Sequence, residues 1–398
     1  MGGGGSKLWS EITELARLPT IVSDLGQGYP DFNGDEIARQ TASQVLLTQS
    51  RLNQYSLVNG TADLRKELAG FYAKRHPEAT ALNPNTEVLV TSSGTESLYA
   101  AIIATVTQGD EVIVFEPSFP WYSPDIRLAG GVVKAVTLKY PDFTIDEKEL
   151  RAAFSSRTKL VVFNTPHNPT GHVARKWEAE LIAKLCVEHD ALCLADEVYD
   201  QFVFDPAKTG NHIRICDLPG MRERTLVVGS ASKMFSLTGW RVGWLYGPED
   251  LIAACRSIHS FASYCAPTPL QDGVRAALAK AAENENAVPK GLQELNTLFA
   301  ENARRLADAL EKSFGVKSSL PEGGYFLVSD VSSTGKTDAE FCSFLARERG
   351  VVAVPMTVFY TKEPVPRNLV RFSICKTRPV IDRAVEAILH GPASSKKS

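Results

Sequence analysis

The sequence predicts an α/β protein, with a large domain on a mainly parallel sheet flanked by helices and a smaller α+β domain. Three observations lead there. From residue 87 to residue 245, short apolar, β-branched runs alternate with helical stretches, as in a sheet covered on both faces. Each run ends in a turn of small or polar residues, and ligands of such sheets gather at those carboxyl ends. A chain of 398 residues is also long for one core. Residues 1–20 read as a linker and N-terminal arm, 21–50 as the first part of the small domain, 51–290 as the large domain and 291–398 as the rest of the small domain.

A net charge of −3 leaves no basic face for nucleic acid or an anionic membrane surface. The seven cysteines are scattered, odd in number and without a CxxC pair, which fits reduced thiols and a cytoplasmic protein better than a disulfide or zinc framework. No apolar run approaches the roughly 18 residues of a membrane helix. Met1 to Ser6, four of them glycines in a row, read as a flexible linker. Glu11, Glu14 and Asp24 argue against an Arg-rich transit peptide.

In chain order, Leu25 to Phe32 is a turn-rich element with two glycines around Gln27, and Tyr55 reads on its own as a half-buried packing residue. Leu64, Leu68, Phe71 and Tyr72 have helical spacing. Val88 to Val90 is a strand; Thr91 to Glu96 is a small polar turn; Leu98 to Val106 is a helix. Such a turn is either an anion site, because free N–H groups and the helix dipole point into it, or a plain cap made by Ser92 or Ser93. Glu111 to Phe115 is the next strand, and Phe119, Trp121 and Tyr122 cluster just beyond it, suited to stacking on a flat ring. Trp121 and Tyr122 line a pocket or pack against its wall.

The strand Lys159 to Phe163 enters Asn164-Thr-Pro-His-Asn168-Pro-Thr-Gly171, a rigid loop that holds its amides in fixed directions, with His167 as a shaping residue. After a helix near Trp177 to Glu188, the strand from Ala191 ends in Asp196, an acid whose burial is unfavourable without a partner. Tyr199 follows three residues on, and Glu197 reads as an ion-pair or capping residue. The strand from Thr225 breaks at Gly229 into Ser230-Ala-Ser-Lys233, followed by Gly239-Trp-Arg241-Val-Gly243. Helices are expected at 248–263 and 292–312, then further mixed strands and helices: the run 324–328, a helix at 338–347, the runs 351–360 and 369–374, a helix at 380–390 and a loose polar tail.

Lys233 is either a solvated lysine at a strand end or, between small residues in an apolar setting, an amine of lowered pKa that acts as a nucleophile. The segment around it resembles the cofactor-lysine segment of class I aminotransferases, which are fold-type I enzymes using pyridoxal 5'-phosphate. The likeness runs from about Ile21 to Leu389 and is nearest to the branch of kynurenine aminotransferase, glutamine transaminase and cysteine-S-conjugate β-lyase. It implies that Lys233 carries the cofactor as a Schiff base and moves protons, that Asp196 keeps the pyridine nitrogen charged, and that Asn168 and Tyr199 bind the 3' oxygen. It further implies Phe119 stacked on the ring, and Ser230, Arg241, Thr95 and the Gly94 backbone on the phosphate. Tyr55 would reach the phosphate of the neighbouring subunit, which requires a homodimer. Arg371, with Gly28 and Asn168, would bind the substrate carboxylate.

The activity so implied is ping-pong transfer of an amino group from an L-amino acid to a 2-oxo acid. Tyr29, Trp121, Tyr122, Phe359 and Tyr360 favour an aromatic or large uncharged donor such as kynurenine, phenylalanine, glutamine or methionine. Departures from the branch at Thr95, Ser118 and Trp121 bear on that choice. β-Elimination from cysteine S-conjugates is an alternative outcome on the same site. A non-catalytic cofactor-binding regulator would need a basic helix-turn-helix module ahead of Gly26, for which about twenty residues leave little room. No G-x-G-x-x-G follows an early strand, which argues against a nicotinamide dehydrogenase.

Overall fold

The computed structural model describes residues 3–283 and 290–391. The chain first lays down a two-residue strand, β1 (Ser23–Asp24), and then the seven strands of the main sheet: β2 (Val88–Thr91), β3 (Glu111–Glu116), β4 (Val132–Thr137), β5 (Thr158–Asn164), β6 (Leu192–Asp196), β7 (Thr225–Ser230) and β8 (Gly243–Tyr246). Their order across the sheet is β2-β8-β7-β6-β5-β3-β4. All pairs are parallel except those of β8, which runs against both β2 and β7.

Residue alternation shows why the sheet needs two covering layers. Leu89, Val112, Val114, Leu160, Val162 and Leu226 join one core with the helices Gly94–Thr105 and Glu249–Ala262. Their neighbours Val88, Val90, Ile113, Phe115, Val161 and Val227 join the other, with the helices Ala62–Arg75 and Thr268–Ala282. These strands, β2, β3, β5 and β7, are apolar on both sides and therefore buried on both.

The smaller sheet holds β9 (Lys317–Ser319), β10 (Phe326–Asp330), β12 (Val354–Pro355) and β13 (Leu369–Ser373) in the antiparallel order β12-β13-β10-β9, while β11 (Val351–Val352) pairs in parallel with β1. Its helix Asp338–Arg349 starts with a capping box between Thr337 and Glu340 and stops at Gly350, whose φ of 69° suits the left-handed C-terminal position. Helices Lys290–Phe314 and Arg378–His390 pack on each other beside it. Two loops fasten this sheet to the large one. Glu322 N and Gly323 N donate to Gly171 O at 2.9 and 3.0 Å, and the Glu116 carboxylate accepts from Thr361 N at 2.9 Å and Lys362 N at 3.1 Å.

Residues 3–6 do not form the expected flexible linker. They belong to a helix, Gly3–Leu15, whose Leu8, Ile12 and Leu15 meet Ala339 and Cys342 in one crevice. Glycine disfavours a helix by itself, so docking of that apolar stripe decides the matter. Met1 and Gly2, and the tail 392–398 that was expected to be loose, lie outside the described residues. The edge strand β4 has no counterpart in the sequence reading, because it is half-exposed and carries Lys134 amid its valines.

Gly243 is where sheet order makes the site. It pairs with Thr91 on one side and Ser230 on the other, so the reversed strand brings both turns to one edge. A Cβ on Gly243 would lie 2.3 Å from Gly94 N. Gly243→Ala is therefore expected to destabilise the fold by about 1–3 kcal/mol, seen as a lowered midpoint in thermal denaturation; an unchanged midpoint would refute the close-approach argument.

Candidate active site

Lys233 leaves the sheet at the end of β7, on the single turn Ala231–Met234, where Ser230 Oγ accepts from Ser232 N at 3.2 Å. The lysine is half-buried. Its Nζ donates to Gly28 O at 2.9 Å and lies 5.2 Å from the Tyr325 ring centroid and 5.6 Å from that of Tyr199. Burial first, and then the charges of Arg371 and Arg241, bring the amine down to about 8 against the pull of Asp196. Tyr325 fixes the turn, its hydroxyl donating to Lys233 O at 3.0 Å.

Asp196 ends β6 fully enclosed. Its carboxylate accepts from the Tyr122 hydroxyl at 2.5 Å and from Val198 N at 3.4 Å. Burial pushes its pKa up to about 6 although both bonds pull it down, so the group is suited to a cationic partner. Next door, Glu197 faces His212 Nε2 at 3.2 Å, in line with the ion-pair reading, and its charge raises Asp196 further. Tyr199 is buried, and burial raises its hydroxyl.

Asn164 joins the two loops. Its Nδ2 donates to the backbone carbonyl of Asp196 at 2.8 Å, and its Oδ1 accepts from Asn168 N at 2.7 Å. Asn168 Oδ1 then accepts from Arg371 Nη1 at 3.1 Å, while Arg371 Nη2 donates to Gly26 O at 3.1 Å. The guanidinium carbon lies over the Phe326 ring, 3.9 Å from its centroid, and over the Phe359 ring at 4.6 Å. Burial lowers its pKa to about 9, and its Nε has no hydrogen-bond partner. His167 serves its loop: Nδ1 meets Thr170 Oγ1 at 2.8 Å, and burial holds the ring neutral, down to about 3.

The turn before helix Gly94–Thr105 is strained and braced. Ser93 has φ 108° and caps the helix, its Oγ accepting from Glu96 N at 3.3 Å. The Glu96 carboxylate binds Ser92 N, Ser263 Oγ at 2.6 Å and His259 Nδ1 at 2.8 Å, which locks the turn to the end of the helix Glu249–Ala262. A Cβ on Gly94 would meet Ser230 Cβ at 3.4 Å, so the Gly94, Thr95 and Ser230 backbones form one cradle at the helix N-terminus.

Lys233, Gly28, Asp196, Tyr199, Asn168 and Arg371 are thus joined by contacts, and Gly94, Thr95 and Ser230 sit at the same edge. Phe119 stacks on Trp121 at 5.0 Å and meets the edge of Tyr122 at 5.5 Å. Arg241 is exposed, with φ 53° and Nη1 donating to Thr238 O at 3.0 Å. Tyr55 stands apart, 83% exposed and edge-on to Tyr264 at 5.3 Å. Tyr325 escaped the sequence reading, because in sequence it is one aromatic at the start of a strand. The hydroxyl contact of Tyr122 escaped it too.

The family described as aminotransferase class I and II matches residues 20–388. Kynurenine--oxoglutarate transaminase 3 of Rattus norvegicus is 36% identical over 417 residues, covering 96% of this chain and 88% of the relative. Kynurenine--oxoglutarate transaminase 1 of Homo sapiens is 36% identical over 379 residues, covering 89% and 87%. Among solved structures, YbdL from Escherichia coli, for which a methionine aminotransferase function is identified, superposes with a TM-score of 0.88 at 31% identity, covering 98% of this chain and 97% of that one. The α/β architecture is the one these aminotransferases share, and this chain belongs to the class I and II aminotransferases.

Proposed function

We propose that this aminotransferase works with pyridoxal 5'-phosphate and moves the α-amino group of an aromatic, kynurenine, glutamine or methionine type L-amino acid to a 2-oxo acid, by a ping-pong mechanism. The observation that carries the reading is the half-buried Lys233 amine at the same sheet edge as the buried Asp196 carboxyl, in a chain of this family. The names of the relatives, for kynurenine and methionine, and the aromatic residues Tyr29, Trp121, Phe326 and Phe359 near the site support the donor class.

The residues present fit the cofactor. An Asp196 carboxyl raised by burial suits a pyridinium nitrogen, and the helix N-terminus at Gly94 suits a phosphate. When bound, pyridoxal phosphate supplies an aldehyde that exchanges amines and a charged ring that withdraws electrons. In this reading Asn168 and Tyr199 hold its 3' oxygen and Phe119 covers its ring. Ser230, Arg241, Thr95 and the Gly94 backbone hold its phosphate. Arg371 and the Gly28 N–H orient the substrate through its carboxylate, and the neutral Lys233 amine takes the proton from the substrate Cα.

A homodimer completes the proposal. Leu47 is 82% exposed, Tyr55 83% and Phe261 92%, and the contact between Tyr55 and Tyr264 brings the segments of Tyr55 and Phe261 together. Such a patch suits a subunit interface. There, Tyr55 of the partner subunit would reach the phosphate cradle. Seven free cysteines fit a reducing compartment, and we assign the protein to the cytoplasm.

Protein supplied with pyridoxal phosphate is expected to show the visible band of the bound pyridoxal form, which a kynurenine, aromatic, glutamine or methionine type amino acid converts to the pyridoxamine form and a 2-oxo acid restores. A protein left colourless by the cofactor would overturn the reading. Lys233→Ala should lower kcat by about 10³-fold or more in coupled assays.

Because only the neutral amine is nucleophilic, uptake of pyridoxal phosphate by cofactor-free protein should accelerate with rising pH, with a midpoint near the Lys233 value of about 8 in stopped-flow absorbance. Mixing subunits that carry Tyr55→Phe with subunits that carry Lys233→Ala should yield more activity than the two separately, since one hybrid site is intact. Activity no higher than that of the Tyr55→Phe subunits would show self-contained sites.

A further inference from the structure

Three cationic side chains converge on one short segment. Arg371 Nη2 donates to Gly26 O at 3.1 Å, Lys233 Nζ to Gly28 O at 2.9 Å and Lys376 Nζ to Tyr29 O at 2.8 Å. The Lys376 ammonium also lies 4.0 Å from the Tyr29 ring centroid. Its side chain is otherwise sealed off, for Lys376 is 2% exposed.

The proposed function gives two of these cations to ligands, Arg371 to the substrate carboxylate and Lys233 to the cofactor. Lys376 has no ligand to take. Its backbone is pinned from the opposite side, where the buried Asn302 Nδ2 donates to Ile374 O at 3.0 Å and to Lys376 O at 2.8 Å. The next residue closes a second link to the same segment, Thr377 N donating to Asp31 Oδ1 at 2.6 Å and Thr377 Oγ1 to Asp31 Oδ2 at 2.5 Å. Lys376 is thus a fixed post with a charge-assisted bond to a backbone carbonyl and a cation–π contact to the neighbouring ring.

We propose that Lys376 is a positioning residue for amino-acid binding: it holds the Gly26–Tyr29 segment over the site while substrate and cofactor engage Arg371 and Lys233. It touches no reacting atom in this role. The inference rests on the aminotransferase reading only for the ligands of Arg371 and Lys233. The hold itself is a property of the chain.

The test compares wild-type holoenzyme with Lys376→Met and Lys376→Arg. Steady-state kinetics use the amino acid that bleaches the visible band fastest, and hydrogen exchange is followed at the amides of 25–29. Lys376→Met is expected to raise the amino-acid KM about tenfold or more, with kcat within about threefold, and to speed exchange at those amides. Lys376→Arg, which keeps the cation and its donors, should return KM to within about threefold of wild type.

Unchanged KM and unchanged exchange in Lys376→Met would overturn the proposal, and so would equal losses in the Met and Arg variants. Should Lys376→Met fail to fold, Lys376→Gln takes its place with the same expectations. If the wild-type protein transaminates nothing, the proposed function fails by itself, and exchange at 25–29 still decides whether Lys376 holds the segment.

Discussion

A relay of hydrogen bonds from Asp196 through Asn164 and Asn168 to Arg371 carries the geometry of the site from one sheet to the other. It starts at a backbone carbonyl on the carboxyl edge of the large sheet and ends on a guanidinium in β13 of the small one. Each bond is buried, where an unmade bond is unfavourable by about 1–3 kcal/mol, so the loops that bear it have little freedom to drift. The proline-rich loop after β5 can therefore be irregular in backbone yet exact in placement, because its polar groups are already spoken for.

Around that relay the protein holds ionisable groups away from their ordinary behaviour. Lys233 is lowered and Asp196 raised, both mainly by burial, and a layer of charge lies behind them. Arg214 is set 5.3 Å from the Tyr72 centroid and 5.4 Å from that of Tyr246, and Glu197 faces His212. A buried layer of this kind does little for net stability but fixes the potential at the sheet edge. Perturbed groups concentrated in one cleft are what chemistry requires.

Much of this was legible in the sequence because it is local. Strands end where their apolar runs end, and Lys233, Asp196 and Asn168 follow within a few residues of such ends. The helix from Asp338 was legible to within two residues of its end, Arg349 in place of Arg347. What could not be read depends on distant partners. The direction of β8 is set by pairing with both Thr91 and Ser230, and the tie from Lys376 to Tyr29 spans 347 positions. The helix from Gly3 runs against glycine's own preference and exists because a crevice on the small domain accepts Leu8, Ile12 and Leu15. Tyr122 was readable as an aromatic near the site, but the direction of its hydroxyl was not.

The two rings against Arg371 have an effect on hydration as well as on charge. The Phe326 and Phe359 centroids lie 3.9 and 4.6 Å from the guanidinium carbon, and Arg371 is only 5% exposed. A carboxylate is planar and matches a guanidinium fork with both oxygens directed at nitrogen. Under the proposed function, burial and ring contact together make Arg371 a charge already stripped of most of its water, so an incoming carboxylate would have little solvent to displace there.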